Sequence, residues 1–232
     1  MDTSIIFKFL GDIAANNSRE WFQAHRAEYD AARASFEADI EKAIRRTATF
    51  DASVGHLTLK DVTYRFYRDT RFSPDKSPYK RHFGAYIAAH GKKAMHGGYY
   101  IHLEPGQSLL ACGNYELPTR VLNACRNEIM GNIDTWRSIV EDGRFVHLFG
   151  YPGCGTWGES RGFGLTMLKK CPAGFPKDYP YIDYLRMKDY CCWHRVPDDF
   201  FADDSWTDRA ADIFSTAKPM MDFVNDVIDD YE

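Results

Sequence analysis

Apolar residues near the N-terminus recur at helical spacing. Ile5, Ile6, Phe9, Leu10 and Ile13 follow the polar trio Asp2, Thr3 and Ser4, which predicts a short amphipathic helix entered through a side-chain cap. Asn16 and Asn17 end it. A second helix is expected from Ser18 to about residue 48, with Asn17 and Glu20 spaced as a capping box and a stripe of Trp21, His25, Tyr29, Ala32, Phe36, Ile40 and Ala43. Between residues 58 and 115 the period changes to two. In TLKDVTYRFYR, Val62, Tyr64 and Phe66 share one face, and Thr63, Arg65 and Tyr67 the other. RHFGAYIAA, GYYIHLE and SLLACGNY supply three more strands, with HGKK and EPGQ as turns.

Helical spacing returns beyond Pro118, with Val121, Leu122, Cys125 and Ile129 followed by Ile133, Trp136, Ile139 and Val140. Residues 150 to 180 are rich in glycine and proline and read as loop. Residues 181 to 190 are compatible with a helix, and Trp206 to Ile228 with one or two helices interrupted near Pro219. The expected architecture is α+β: a mostly antiparallel, meander-like sheet over about residues 58–115, packed by N-terminal and C-terminal helices. The expected organisation is a single domain over 1–232, with N-terminal helices in 1–50 and a helical, loop-rich half in 118–232.

Composition supports that picture. Of the 232 residues, 44% are hydrophobic and 15% aromatic, and a single core can grow to roughly 250 residues before chains divide. The six cysteines include no C-x-x-C pair and read as reduced thiols. The N-terminus lacks a basic segment ahead of its short apolar run, and no apolar stretch approaches the ~18 residues that span a bilayer. A cytoplasmic protein without a membrane partner is expected. The net charge of −4 does not by itself point to nucleic acid, but charge is segregated. Residues 60–93 hold nine Lys/Arg against three Asp, whereas residues 198–232 hold eleven Asp/Glu against Arg209 and Lys218.

The chemistry-bearing segment is RFYRDTRFSPDKSPYKRHFG, residues 65–84. Arginine forks grip carboxylate or phosphate at two points, and lysine adds a mobile charge. Arg65, Arg68, Arg71, Ser73, Lys76 and Lys80 are therefore candidate ligands for a small anion. Prolines would stiffen the loop and reduce the entropy lost on binding. The competing reading is a solvated hairpin tip in which Asp69 and Asp75 pin Arg71 and Lys76. His102 and Tyr79 are candidate proton-transfer groups, and alternation in GYYIHLE puts Tyr100 on the same face as His102. His82, His96 and His102, with Glu104 or Cys112, could build a metal site, but none sits in a motif such as H-E-x-x-H. No metal and no cofactor are expected. Cys154, between two glycines, could be an exposed thiol, although free cysteines are commonly just packed. Tyr64, Phe66, Tyr67, Phe72, Tyr79 and Phe83 interleave with the cations, which keeps nucleic-acid or protein interaction as the alternative. Sheet-core packing explains the same rings. The sequence carries no signal for an oligomeric state.

Four blocks, NNSREWF at 16–22, YRDTRFSPDKSPYKRHFG at 67–84, GGYYIHLEPGQSLLACGNY at 97–115 and CPAGFPKDYP at 171–180, resemble the family called domain of unknown function 2461. The resemblance spans nearly the whole chain, and the RDTRFSPDKSPYK block is its most specific part. It implies a single-domain α+β protein and brings no reaction, cofactor or ligand. Its characteristic polar positions fall here on Arg65, Arg68, Asp69, Arg71, Ser73, Lys76, Tyr79, Lys80 and His102, with Arg19, Glu20 and Trp21 at the start of the second helix.

Overall fold

The computed structural model describes residues 1–153, 156 and 158–231. Cys154 lies outside the described residues. Helix α1 (Thr3–Ala15) is capped by Asp2, whose carboxylate accepts from the amides of Ser4 and Ile5, and it buries Ile6, Phe9, Leu10 and Ile13. The long second helix is two helices, α2 (Arg19–Ala24) and α3 (Arg26–Thr47). They part at His25, whose Nδ1 lies 2.8 Å from the Trp21 carbonyl oxygen. The cap of α2 is Ser18, accepting from the Trp21 amide at 3.2 Å. Asn17 has another task. Its side chain donates to the Tyr79 carbonyl and accepts from the Tyr79 amide, both at 3.0 Å, so it reads that backbone as a neighbouring strand would.

The expected strand at 58–68 is replaced by a short helix, α4 (Leu59–Val62), and an irregular segment. Thr58 and Asp61 cause the change: the Asp61 carboxylate accepts from both the amide and the hydroxyl of Thr58, at 2.9 and 2.6 Å. Thereafter residues 63–68 run against 78–85, with isolated antiparallel bridges Thr63↔Ala85 and Tyr67↔Tyr79. The alternation still sets inside from outside, since Val62 and Phe66 are buried and Arg65 and Tyr67 exposed.

The remaining elements are β1 (Phe83–Ile87), β2 (Gly98–Leu103), β3 (Leu109–Asn114), α5 (Thr119–Gly131), α6 (Ile133–Val140) and α7 (Gly143–Phe149). They are followed by β4 (Arg161–Phe163), α8 (Ile182–Arg186), β5 (Tyr190–Arg195) and α9 (Trp206–Asp229), which runs unbroken through Pro219. The fold is α+β, with an open antiparallel sheet in the order β1-β2-β3-β5-β4 and flanking helices. The expected meander is its first three strands. Two further strands come from the half expected to be helix and loop, where β4 pairs antiparallel with β5. All six residues of β3 are buried, as befits a strand covered on both faces.

The chain divides into two compact units, Met1–Ile87 with Tyr100–Leu109 and Val196–Ala211, and Ala88–Tyr99 with Leu110–Arg195 and Asp212–Glu232. The first has an aromatic core. Phe9, Phe22, Phe36, Phe66, Tyr79 and Phe83 are all buried, with Phe22 stacked on Tyr79 at 4.1 Å and Phe66 edge-on to Phe83 at 5.4 Å. Such pairs add about 0.5–1.5 kcal/mol each beyond the area they bury. The second unit centres on Trp136, with Tyr190 edge-on at 5.7 Å, and on Phe145 against Phe163 at 5.2 Å. The five described cysteines are free thiols. No helix among the described residues is long and apolar enough to cross a membrane.

Candidate functional site

The tip of the basic block is closed on itself. Arg68 donates from Nη1 to Asp75 at 2.6 Å and to the Ser77 carbonyl at 3.1 Å, and from Nη2 to the Ser73 hydroxyl at 3.3 Å. Arg71 grips Asp69 from Nε and Nη2, and the Lys76 ammonium donates to the Thr70 carbonyl at 2.9 Å. These are short-range closures of one loop. Asp69 is held down at about 2, first by the hydrogen bond from the Arg71 side chain. Asp75 is held at about 2, first by the Ser77 hydroxyl and then its amide, and Arg68 lowers it further. Arg68, Arg71, Ser73 and Lys76 thus build the tip. The rings of Phe66, Tyr79 and Phe83 lie in the core, whereas Tyr67 and Phe72 are exposed.

Lys80 and Arg65 differ. The Lys80 ammonium is partly buried, 5.0 Å from the centre of the Tyr64 ring, and forms no ion pair among the described residues. Burial lowers its pKa, and the positive charges of Arg65 and then Arg33 lower it further. Arg33 is itself committed, donating to Glu37 at 2.6 Å and to the Tyr64 carbonyl at 3.1 Å. Arg65 is exposed and forms no ion pair among the described residues. Lys80 and Arg65, which have no carboxylate partner among the described residues, are thus cations of the block not engaged in closing its tip.

Next to them is a chain of proton-bearing groups. Tyr100 Oη lies 2.9 Å from Nδ1 of buried His102, and Nε2 of His102 lies 3.0 Å from Oε2 of Glu104. The His82 ring stacks on His102 at 4.3 Å. Burial drives the Tyr100 phenol well above its ordinary range, so it keeps its proton. Nε2 of His102 is hydrogen-bonded to Glu104. That hydrogen bond is the main reason the Glu104 carboxyl is lowered, against the opposing effect of burial. Burial lowers His82 to about 3, helped by the charges of His102 and Lys80, so its imidazole is neutral. Ser108 fixes the end of the chain: its hydroxyl accepts from the Glu104 amide at 3.2 Å and lies 3.0 Å from the Glu104 carbonyl oxygen.

Gly84 makes the room. A Cβ there would stand 2.8 Å from the Tyr100 hydroxyl and 3.2 Å from its ring, closer than a side chain tolerates. Gly84→Ala is expected to push Tyr100 off His102 and to cost about 1–2 kcal/mol of stability, as overpacking does. Urea unfolding measures the second effect, and the ¹⁵N shift of His102 Nδ1 the first. An unchanged ¹⁵N shift would mean that the ring accommodates the methyl in place.

Of the residues singled out from sequence, Lys80, Arg65 and His102 belong to this region. Tyr79 does not supply the hydroxyl bonded to His102; it is buried against Phe22, and its own hydroxyl pairs with Tyr67. Tyr100 takes that position. The sequence grouped His82 and His102 with Glu104 as a possible metal site, which was not expected to be used, and put Tyr100 on the face of His102; it did not tie these groups to Lys80 and Arg65, and it missed Gly84 and Arg33. The signal that could have joined them was period-two placement: Lys80, His82 and Gly84 alternate on one stretch, as do Tyr100, His102 and Glu104 on another.

The second unit contains a smaller histidine group. His90 stacks on His96 at 3.9 Å, and His96 Nε2 lies 2.7 Å from Asp229, with His90 and Asp229 exposed. An open depression of about 360 Å³ in the same unit is lined by Ser138, Ile139, Asp142, Arg144, Ser215, Thr216 and Pro219. Its charged residues are already used: Asp142 caps α7 and Arg144 pairs with Asp212. It offers no reactive constellation.

No curated protein matches the chain, and no solved structure does. A family model does, over residues 5–223, in agreement with the four sequence blocks. The chain belongs to the family described as conserved hypothetical protein (DUF2461).

Proposed function

We propose that the protein binds a small molecule bearing a phosphate or carboxylate group at Lys80 and Arg65, with His102 alongside as the candidate proton-transfer group. The reading is carried by one observation. Lys80 is withdrawn from solvent onto the Tyr64 ring, within the fields of Arg65 and Arg33, and forms no ion pair among the described residues. A partly desolvated cation among other cations is stabilised by an incoming anion more than a solvated surface lysine would be. Arg65 supplies the planar fork that suits an oxyanion, and Lys80 the point charge. The tip residues Arg68, Arg71, Ser73 and Lys76 act in this reading as scaffold, because each is engaged within its own loop.

The test is a thermal-shift and calorimetric screen of chelator-treated protein against inorganic phosphate, citrate, and a panel of phosphorylated and carboxylated metabolites. Binding is expected to weaken at least tenfold in Lys80→Gln and in Arg65→Gln, and to survive in Arg71→Gln. Absence of binding across the panel, or equal binding by Lys80→Gln and wild type, would overturn the assignment.

A further inference from the structure

We propose that His82, His102 and Glu104 form a binding site for one divalent transition-metal ion. One donor atom from each lies within 4.8 Å of the other two. Metal–ligand distances for imidazole nitrogen and carboxylate oxygen are about 2.0–2.2 Å, so two ligands of one ion stand roughly 3.0–3.5 Å apart. His102 Nε2 and Glu104 Oε2 already stand 3.0 Å apart. Small rotations of side chains, rather than backbone movement, bring three donors to one ion.

The donor set has a chemical preference. Two imidazoles and one carboxylate suit iron(II), zinc, cobalt(II) and nickel(II), whereas calcium and magnesium prefer oxygen throughout. Three protein ligands also leave positions open, as catalytic rather than structural centres do. The surroundings match what such a ligand set needs. Metal-bound histidines are oriented through their other ring nitrogen, and Tyr100 sits 2.9 Å from Nδ1 of His102. With the ion on Nε2, the ring proton is on Nδ1 and the Tyr100 oxygen accepts it. Glu104 is likewise held through its backbone by Ser108.

The other histidine group, His90, His96 and Asp229, also brings three donors within 4.8 Å. Two of its three members are exposed, so its side chains are free to turn toward water. We assign the ion to the more enclosed group. This assignment does not depend on the anion reading, which is tested on metal-free protein.

The experiment uses the full chain, stripped with chelator and titrated calorimetrically with Zn²⁺, then with Co²⁺ followed by visible absorption. One ion per chain is expected, with a cobalt spectrum characteristic of nitrogen and oxygen ligands. Glu104→Gln keeps the size of the side chain and is expected to weaken binding at least 100-fold. Tyr100→Phe is expected to weaken it about 10- to 100-fold, the usual effect of losing the group that orients a ligand. His90→Asn is expected to leave it unchanged. Circular dichroism confirms that each variant is folded, and His82→Asn replaces Glu104→Gln if that variant is not. The assignment is overturned if wild type takes up no ion, if Glu104→Gln binds like wild type, or if His90→Asn abolishes binding.

Discussion

Gly113→Ala is expected to cost about 4 kcal/mol or more. The φ of Gly113 is +110°, a backbone conformation open to glycine and costly for any other residue. A Cβ would also overlap the Tyr190 carbonyl oxygen and stand 2.9 Å from its carbonyl carbon. Neither obstacle is a movable side chain. The obstruction is the backbone of β5, the strand hydrogen-bonded to β3, so relief requires parting two strands of the sheet. For a chain of this size each kcal/mol shifts Tm by about 2–4 °C, which puts the expected loss near 8–16 °C. Gly131→Ala is the control. Gly131 ends α5 without a positive φ, and a methyl group added there meets nothing within 4 Å, so the change should be neutral or gain up to about 1 kcal/mol. Equilibrium urea unfolding of the two variants checks both. A cost below about 1 kcal/mol at Gly113 would show that β3 and β5 are not held this closely.

That close approach marks the boundary of what the sequence could disclose. Where burial is decided within one turn of helix, the pattern of residues was nearly sufficient: of the expected stripe Ile5, Ile6, Phe9, Leu10 and Ile13, all but the exposed Ile5 are buried in α1. Where one side chain competes for a backbone group, it was not. The stripe from Trp21 to Ala43 is continuous in period, but the helix divides at His25, whose ring Nδ1 and backbone amide both meet the Trp21 carbonyl. At 58–62 the alternation correctly separated buried Val62 from its exposed neighbours, while the Thr58–Asp61 cap imposed a helical turn that a count of apolar residues does not register. Strand β5 was hidden for a different reason. YCCWHR contains the strand-favouring Tyr190 and Trp193 but does not alternate apolar with polar positions, and it pairs with β4, whose partners lie about thirty residues earlier.

The candidate site divides along the same line. The basic block was visible as composition, and so was the alternative that its aspartates would consume its charge. Asp69 does so with Arg71, and Asp75 does so with Arg68, not with Lys76. Which cations escape depends on the course of the chain beyond the loop: Lys80 lands on Tyr64, away from the carboxylates that occupy Arg68 and Arg71. The Tyr100–His102–Glu104 chain was half-legible, because alternation puts those three side chains on one face. That His82 stacks on them, and that Gly84 leaves room for Tyr100, requires two stretches of chain to meet.

Arg126→Met is expected to be the most damaging substitution of a charged residue, at about 3–5 kcal/mol. Arg126 is 3% exposed on α5 and has no carboxylate partner among the described residues. Its charge is instead spread over neutral acceptors: Nε donates to the Leu185 carbonyl at 2.6 Å, Nη2 to the Met187 carbonyl at 2.9 Å, and Nη1 to Asn123 Oδ1 at 2.8 Å. Burial lowers its pKa, as expected for a cation without an anionic partner. Methionine keeps the apolar stem and removes the donors, leaving two backbone carbonyls buried and unserved at the end of α8, each costing about 1–3 kcal/mol. The segment they belong to leads through Asp189 into β5. The Asp189 carboxylate accepts from the amides of Leu165, Thr166 and Cys191 and from the Thr166 hydroxyl. Loosening residues 185–187 therefore loosens the anchor that aligns 165–166 with the sheet, and hydrogen exchange at the amides of Leu165 and Thr166 should accelerate in step with the loss of stability. Lysine at this position should recover only part of it, since one ammonium does not reach three acceptors as a guanidinium fork does. If Arg126→Met melts within about 2 °C of wild type, water replaces the lost donors and the guanidinium is not the peg that holds this segment.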